Sequence, residues 1–306
     1  MRKIIVGTRT SKLALIQTNW VIDQLKKAGV QNEIEIKEFM TSGDKNLTVS
    51  LAALGGGGIF IEELEQALLN KEIDFAVHSL KDLPAILPEE LVVTAIPERE
   101  DARDAYIGRN HVKLDDLPAG AKVGTSSGRR RAQILSLRPD LNTPWIRGAV
   151  DGRIDQLNDG AYDAIILAVA GLKRLGVSEE VITEYLDIEK FVPAPGQGAL
   201  AIECRQDDKE LRNILAMIND EESAKAVTTE RELVKLIEGA DEGPVGIYAY
   251  VDQEEIVLHA ALTTSEGERT ISEVVRGTDP VAIATEMAAK LKEQNILELI
   301  QEELKK

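Results

Sequence analysis

The chain has 306 residues, of which 43% are hydrophobic and 4% aromatic, so it can build two or three domains with aliphatic cores and is not disordered. Its 36 Lys and Arg residues against 53 Asp and Glu residues give a formal net charge of −17, which argues against binding nucleic acid or an anionic membrane through general charge. A single cysteine, Cys204, excludes an internal disulfide framework and is typical of a protein of the reducing cytoplasm.

The N-terminal third of the chain alternates between strand-like and helix-like patterns. Ser11 can cap a helix whose apolar residues recur at helical spacing, and a second helix is predicted over Ile59–Leu69. Strands are predicted in "KIIVGT", "EIEIKEF", "IDFAVH" and "ELVVTAIP". The last of these strands closes a first α/β unit.

A second α/β unit is predicted to begin near Arg103. Strands are predicted in "DAYIG", "AKVGTS" and "TPWIRG", and helices over Gly128–Leu137 and from the last of these strands to about Asn158. "YDAIILAVAG" indicates a strand that runs into a helix, and "FVPAPGQGALAIECR" indicates a proline-bounded connection back into a sheet.

The C-terminal region predicts a small α+β unit. A helix over Glu222–Leu236 precedes strands in "GIYAYV", "EIVLHAAL" and "TISEVVRG", and a last helix begins near Pro280. Because short strands alternate with helices earlier in the chain, the sheets there should be mainly parallel with crossover connections. The predicted fold class is therefore α/β with a small α+β unit at the C-terminal end.

Basic and hydroxyl side chains recur where predicted strands end. In α/β sheets, ligands collect at these carboxyl ends, in the loops that open the next helix. Helix N-termini, hydroxyl groups and guanidinium forks all favour carboxylates or phosphates, so this pattern in so acidic a chain predicts a cleft for a small, multiply anionic ligand. The residues are Arg9 and Ser11; His78, Ser79, Lys81 and Asp82; Thr125, Ser126, Ser127, Arg129 and Arg130; Arg147 and Arg153; and Lys173 and Arg174.

Several of these features also have a purely structural interpretation. Arg131 and Arg138 are expected on a solvated face. Asp82 either forms a surface ion pair with Lys81 or handles a proton and stabilises a cation within a positive pocket. His78 is expected to be a buried histidine with a satisfied hydrogen bond. The "GGGG" tract either forms a mobile lid or binds phosphate, and it lacks the Lys-Ser/Thr of a P-loop.

At these positions the chain resembles the porphobilinogen deaminase family, also called the hydroxymethylbilane synthases. The resemblance runs from Met1 to near the C-terminus, and so many ordered motifs make it specific. The motifs are "GTRTSKLALIQT", "FAVHSLKDLP", "EREDARDAYI", "VGTSSGRR", "IRGAVDGR", "YDAIILAVAGLKRLG" and "PAPGQGALAIECR".

The resemblance implies a fold and a reaction. Family enzymes have two domains similar to type II periplasmic binding proteins, with mixed sheets and the active cleft between them, and a small third domain. We therefore expect a discontinuous first domain of residues 1–98 and 196–217, a second of 99–195 and a C-terminal α+β domain of 218–306. Family enzymes add porphobilinogen units to a thioether-linked dipyrromethane cofactor, lose ammonia at each addition, and release hydroxymethylbilane in tetrapyrrole and heme biosynthesis.

The resemblance also implies roles for individual residues. Asp82 corresponds to the catalytic carboxylate, which stabilises positive charge on the pyrrole nitrogen as ammonia leaves. The residues implied to bind substrate or the growing chain are Arg9, Ser11, Gln17, Arg147, Arg153 and Arg174. Those implied to hold carboxylates of a cofactor or primer are Ser79, Lys81, Thr125, Ser127, Arg129, Arg130 and Gln197.

The chain departs from the family in the loop that carries the cofactor. The family's loop reads roughly Glu-Gly-Gly-Cys-Gln-Val-Pro-Ile-Gly, whereas residues 238–246 here read "EGADEGPVG", which places Asp241 at the cysteine position. Cys204 lies in "AIECR" and is expected to be a small core residue. An ester on Asp241 would have a far better leaving group than a thiolate, so we expect no covalent dipyrromethane. Further departures are Ala53 and Gly57, where the family usually has lysines, and Gly128, Ala149 and Gly152, where bacterial members typically have leucine, asparagine and threonine.

Three interpretations of function remain open. The protein polymerises porphobilinogen from a free or noncovalently held primer, or it makes a shorter or different pyrrole product, or it only binds a pyrrole polycarboxylate or another small anion. The retained Asp82 and arginine set favour an enzyme. We expect a monomeric cytoplasmic protein with pyrrole carboxylates as its ligands, without nucleic-acid or membrane partners and, with three histidines and one cysteine, without a metal.

Overall fold

The computed structural model describes residues 2–41, 61–237 and 243–294, whose contacts divide the chain into two compact units. The first unit comprises Met1–Glu100 and Gly198–Lys225, and the second comprises Asp101–Gln197 and Ala226–Lys306. The finer division into three domains remains a prediction from the sequence.

Strands and helices alternate along most of the described chain. Up to residue 137 they are β1 Ile4–Arg9, α1 Lys12–Lys27, β2 Ile34–Phe39, α2 Glu62–Leu69, β3 Phe75–Ser79, β4 Leu91–Ala95, β5 Asp104–Gly108, β6 Val123–Gly124 and α3 Gly128–Leu137. Beyond it they are α4 Val150–Asn158, β7 Ala164–Ala168, α5 Val169–Arg174, β8 Glu184–Tyr185, β9 Leu200–Arg205, α6 Lys209–Leu215, α7 Glu221–Leu236, β10 Val245–Asp252, β11 Glu255–Thr263, β12 Thr270–Gly277 and α8 Pro280–Glu293.

The first unit contains a mixed sheet in the order β2-β1-β3-β9-β4. β1 pairs in parallel with β2 and β3, and β9 lies antiparallel between β3 and β4. Phe75 and Ile202 on the central strands are completely buried, and a Cβ atom at Gly7 would lie 2.3 Å from Cδ1 of Ile73. A larger residue at this position would therefore require the Ile73 side chain to move. The pairing of β1 with β3 places Arg9 and Ser79, at the ends of these strands, in one sheet.

The second unit contains a mixed sheet and an antiparallel sheet. The mixed sheet has the order β6-β7-β5-β8, with β6 parallel to β7 and β5 antiparallel to both β7 and β8. The antiparallel sheet β10-β11-β12 packs with α7 and α8 around an aliphatic core that includes Leu233, Leu258 and Met287. The buried carboxylate of Glu230 accepts hydrogen bonds from the backbone N–H groups of Gly196, at 2.6 Å, and Ala249, at 2.7 Å.

The predicted fold class is confirmed, because mixed α/β sheets are accompanied by a small C-terminal α+β part. The expectation that these sheets are mainly parallel is wrong, because β9 pairs antiparallel with β3 and β4, and β5 pairs antiparallel with β7 and β8. The strand predicted in "TPWIRG" is wrong. The segment, residues 143–148, forms no strand, and the nearest pairing is an isolated bridge between Lys122 and Asn142, the residue before it. Pro144 has no N–H group to donate to a ladder. The helix predicted over Ile59–Leu69 begins at Glu62 within the described residues, and residues 59–60 lie outside them.

Candidate active site

Asp82 lies in a small recess of the first unit, together with several side chains that the sequence predicts as ligand-binding. It ends the 3-10 turn Leu80–Asp82, which directly follows β3. The recess is also lined by Arg9 from the end of β1, by Gln17 from α1 and by Ser79 from the end of β3. Nε2 of the buried Gln17 donates to Oγ of Ser79 at 3.0 Å. The recess thus combines a carboxylate, a guanidinium and neutral hydrogen-bonding groups.

Ser11 has a structural role at the beginning of α1. Its side chain accepts a hydrogen bond from the backbone N–H of Ala14 at 3.3 Å, which makes it the N-cap of the helix. Its predicted contact with substrate remains a prediction.

His78, which also lines the recess, is buried and pairs with Glu203 of β9. Nε2 of His78 lies 2.9 Å from Oε2 of Glu203, and both side chains are almost completely buried. Burial raises the pKa of the nearby Glu65, and the charge of Glu203 raises it further. The expectation that His78 is a satisfied buried histidine is confirmed.

In the second unit, the loop after β6 positions hydroxyl groups at the beginning of α3. Oγ1 of Thr125 accepts from the N–H of Ser127 at 3.2 Å, and Oγ of Ser127 accepts from the N–H of Arg130 at 3.3 Å, which caps α3. A hydroxyl that accepts one hydrogen bond keeps its own hydrogen as a donor. Both side chains are therefore oriented locally and retain a donor for an anion.

Arg129 and Arg130 converge on a carboxylate of the protein itself. Nη2 of Arg129 donates to Oδ2 of Asp104 at 2.7 Å, and Nη2 of Arg130 donates to Oδ1 of the same carboxylate at 2.6 Å. Gln197 donates to Oδ1 of Asp104 at 2.9 Å, and Nη1 of Arg129 also donates to the carbonyl of Val192 at 2.8 Å. All these side chains are buried, so the pair of guanidinium groups is fixed before any ligand binds.

The charges of Asp104, Arg129 and Arg130 do not cancel. Burial alone would raise the pKa of Asp104, but the charges of Arg129 and Arg130 outweigh burial and lower that pKa to about 2. Asp104 is therefore ionised at neutral pH. Because one carboxylate faces two guanidinium groups, one positive charge is left over.

Arg153 adds to this excess of positive charge. Its Nε donates to the carbonyl of Gly148 at 2.8 Å and its Nη1 donates to Oγ of Ser126 at 3.1 Å. Burial, together with the charges of Arg130 and Arg147, lowers the pKa of Arg153 to about 10. Repulsion among these guanidinium groups would be relieved by a bound anion, so the three residues Arg130, Arg147 and Arg153, called the guanidinium cluster below, are a candidate anion site.

The remaining predicted residues have positions but less defined roles. Lys81 lies within the 3-10 turn before Asp82, and Arg174 is the last residue of α5. Arg131 and Arg138 form ion pairs with Glu266 and Asp140, as expected of residues outside the site. Asp241, Ala53 and Gly57 lie outside the described residues.

The glycines that replace larger family residues lie in open space. A Cβ atom at Gly128, at the beginning of α3, or at Gly152, in α4, would meet no heavy atom within 4 Å. Crowding therefore does not explain why these positions lack the leucine and threonine that are usual in bacterial members of the family.

Cys204 belongs to the core of the first unit. It lies on β9, is completely buried and packs with residues such as Phe75 and Ile202. Burial raises the pKa of its thiol to about 11. This thiol therefore cannot serve as a cofactor anchor, in agreement with the sequence-based expectation.

Asp104 and Glu203 are functional neighbours that the sequence analysis missed. Asp104 begins a strand in which every residue is buried, and a carboxylate in such a strand needs a cationic partner. That signal was present in "DARDAYI". Glu203 gives the same signal within the buried strand β9.

Two family models match the chain. Residues 4–213 match "Porphobilinogen deaminase, dipyromethane cofactor binding domain", and residues 224–294 match "Porphobilinogen deaminase, C-terminal domain". The chain belongs to the porphobilinogen deaminase family.

Similar members of the porphobilinogen deaminase family come from several bacteria. The porphobilinogen deaminase of Oceanobacillus iheyensis is 56% identical over 300 residues, which are 98% of this chain and 97% of that protein. The porphobilinogen deaminases of Lysinibacillus sphaericus and Bacillus pumilus are 52% and 50% identical over the same shares of both chains. The enzymatic interpretation is therefore favoured over the ligand-binding one.

Among solved structures, a YaeC-family lipoprotein from Enterococcus faecalis matches with a TM-score of 0.43 and 17% identity, over 72% of this chain and 93% of that chain. This likeness is too distant to bear on function. Within residues 2–41, 61–237 and 243–294, no helix has both the length and the apolar character needed to cross a membrane.

Proposed function

We propose that this member of the porphobilinogen deaminase family condenses porphobilinogen units into a linear pyrrole chain, hydroxymethylbilane or a shorter product, without a thioether-linked cofactor. The observation that carries the proposal is the guanidinium cluster, in which Arg130 pairs with the buried carboxylate of Asp104 while its charge and that of Arg147 lower the pKa of Arg153. Such an arrangement is suited to a ligand that brings several negative charges.

The substrate chemistry matches this requirement. Each pyrrole unit carries an acetate and a propionate side chain, so a growing chain is a polycarboxylate. Arg147 and Arg153 would bind these carboxylates through guanidinium forks, and the hydroxyl groups of Thr125 and Ser127 would donate further hydrogen bonds. Arg130 is fixed by Asp104 and would contribute mainly charge.

Asp82 would stabilise the positive charge that develops during the reaction. The bond between the aminomethyl carbon and its protonated nitrogen breaks, and ammonia leaves with the bonding electrons. The pyrrole ring becomes a cationic azafulvene, whose N–H would donate to the Asp82 carboxylate. The free α-carbon of the terminal pyrrole then forms the new carbon–carbon bond with the methylene carbon and loses its proton, which restores both aromatic rings.

A thioether-linked dipyrromethane does not fit the residues present. The cysteine position of the family holds Asp241, and the thiol of Cys204 is completely buried in β9. Chain growth would therefore start from a free or noncovalently held primer, with porphobilinogen itself as one candidate.

Ammonia release from porphobilinogen tests this function. Asp82→Asn keeps the size and hydrogen-bonding capacity of the side chain and removes its charge, so we expect at least a roughly hundredfold lower rate. Binding of porphobilinogen, measured by calorimetry, should change little. Asp23→Asn, at an exposed position of α1 in the same unit, is the matched control and should keep the full rate.

Two outcomes would count against this proposal. Equal rates of ammonia release from the unmodified chain and Asp82→Asn would remove Asp82 from the mechanism. Tight binding of porphobilinogen with no ammonia release by the unmodified chain would establish the ligand-binding function instead.

A further inference from the structure

Trp145 is a large exposed side chain beside the guanidinium cluster. It keeps 43% of its surface exposed, whereas the next residue, Ile146, is 1% exposed and belongs to the core. The Cζ atom of Arg147 lies 5.8 Å from the centre of the Trp145 ring. An indole at this distance makes a cation–π contact, so Trp145 borders the guanidinium cluster.

The backbone of Trp145 is fixed in place. Its carbonyl accepts a hydrogen bond from the hydroxyl of Tyr162 at 2.9 Å, and the carbonyl of the preceding Pro144 accepts from the N–H of Thr125 at 3.3 Å. The ring of Tyr162 packs on Gly124, where a Cβ atom would lie 2.7 Å from Cδ1 of the tyrosine. Trp145 is thus attached to the same loop that presents Thr125 and Ser127.

An exposed indole next to concentrated positive charge suits a particular class of ligand. The guanidinium groups select anions, but they do not distinguish an aliphatic polycarboxylate from an aromatic one. The face of an indole adds favourable stacking for a ligand that carries a flat aromatic ring, which an aliphatic polycarboxylate lacks. A pyrrole carboxylate has both features in one molecule.

We propose that Trp145 stacks on a pyrrole ring of the ligand whose carboxylates bind the guanidinium cluster, and that it selects pyrrole carboxylates over aliphatic ones. This inference rests on the proposed function and adds a specificity-determining residue to it. Arg147 contacts the indole and would bind a carboxylate of the same ligand, so ring and charge are recognised side by side.

Tryptophan fluorescence tests the inference directly, because the chain has two tryptophans, Trp20 and Trp145. The full chain is titrated with porphobilinogen, and with tricarballylate as an aliphatic polycarboxylate. Porphobilinogen should quench the fluorescence of the unmodified chain and of Trp20→Phe, and it should leave that of Trp145→Phe unchanged. Calorimetry measures the affinities in parallel.

The affinity series separates stacking from a merely structural role. Trp145→Ala should weaken porphobilinogen binding about three- to tenfold, as expected for the loss of one aromatic pair, and it should leave tricarballylate binding unchanged. Trp145→Phe keeps a ring and should keep most of the affinity.

The outcomes distinguish this inference from the function on which it rests. If the unmodified chain binds porphobilinogen and Trp145→Ala binds it equally well, the stacking role is wrong and the proposed function stands. Equal weakening of both ligands in Trp145→Ala would also overturn it, because the residue would then only support the arginines. If the unmodified chain binds no porphobilinogen, both proposals fail.

Discussion

Asp104 decides what the adjacent arginines can do. Sequence patterns alone assign Arg129 and Arg130 to ligand carboxylates, yet both already donate to Asp104 in the folded protein. The pair therefore provides a rigid, partly neutralised base for the site, and Arg153 supplies a further charge beside it. The shared carboxylate of Asp104 both holds the two guanidinium groups in position and compensates part of their buried charge.

Asp104→Asn should strongly destabilise the second unit. The substitution leaves two buried guanidinium groups without a matching charge, and breaking a buried ion pair from one side costs about 3–5 kcal/mol. Urea denaturation measures this loss of unfolding free energy. Asp140→Asn, which breaks the solvent-screened pair with Arg138, is the control and should cost far less. A similar loss of unfolding free energy in both variants would show that the buried pair stabilises the fold no more than the exposed pair does.

The same pair predicts the response to acid. The pKa of Asp104 is about 2 in the folded protein against 3.8 ordinarily. Its ionised form therefore stabilises the fold fully above about pH 4, and this contribution is lost as the pH falls through about 2. Asp104→Asn should lack this part of the acid dependence, which denaturation between these pH values would reveal.

For individual residues, the sequence predicts some that line the same recess, but it does not predict which side chains form ion pairs with each other. Arg9, Gln17, Ser79 and Asp82 were assigned to one ligand site, and they do line one recess. The partnership of Arg129 with Asp104 could not be predicted, because it depends on strand β5 carrying Asp104 beneath the beginning of α3. Such contacts depend on packing between elements that are distant in the chain.

At the scale of helices and strands, some residues predicted to bind ligand also stabilise the N-termini of helices. Ser11 caps α1, Ser127 caps α3 and Asp279 caps α8, each by accepting a backbone N–H. Two of these residues were predicted as ligand-binding. These two hydroxyls cap helices, and we propose that they also contact a ligand.

Ser11→Ala should lower the free energy of unfolding by about 1 kcal/mol, because the N–H of Ala14, in the first turn of α1, loses its hydrogen-bond acceptor. Ser11→Asn, which also caps helices well, should retain most of the stability. Chemical denaturation followed by circular dichroism compares the variants. If Ala and Asn at this position cost the same, the cap makes no contribution.

Elements with strong local signals were predicted well from the sequence. The helix over Gly128–Leu137 is found at the predicted bounds, because a serine cap and helical spacing both mark it. The strand in "TPWIRG" was not found, since alternation of apolar residues does not reveal whether a neighbouring strand offers enough hydrogen-bonding partners. Its side chains nevertheless matter, because the segment presents Trp145 and Arg147.

At the scale of the whole molecule, an acidic chain with a net charge of −17 keeps a local excess of positive charge in its second unit. Nearly full-length identity of 50–56% to porphobilinogen deaminases accompanies the loss of the attachment cysteine. We therefore propose that the chain keeps the family's ligand-binding residues but does not tether a primer through a thioether.

Asp241→Cys tests whether the missing thiol is the main departure. A thiolate at this position would form a stable thioether with the electrophile derived from porphobilinogen, whereas a carboxylate would form only a labile ester. We expect the variant, incubated with porphobilinogen, to gain the mass of a dipyrromethane and to release ammonia faster than the unmodified chain. A variant that gains no mass would show that further changes in the chain prevent attachment.

Mass spectrometry of one incubation of the unmodified chain with porphobilinogen tests the central claim most directly. The account predicts a linear pyrrole chain free in solution and a protein of unchanged mass. A stable covalent increment on the protein would contradict the untethered mechanism, and the absence of any condensed pyrrole would contradict the proposed catalysis.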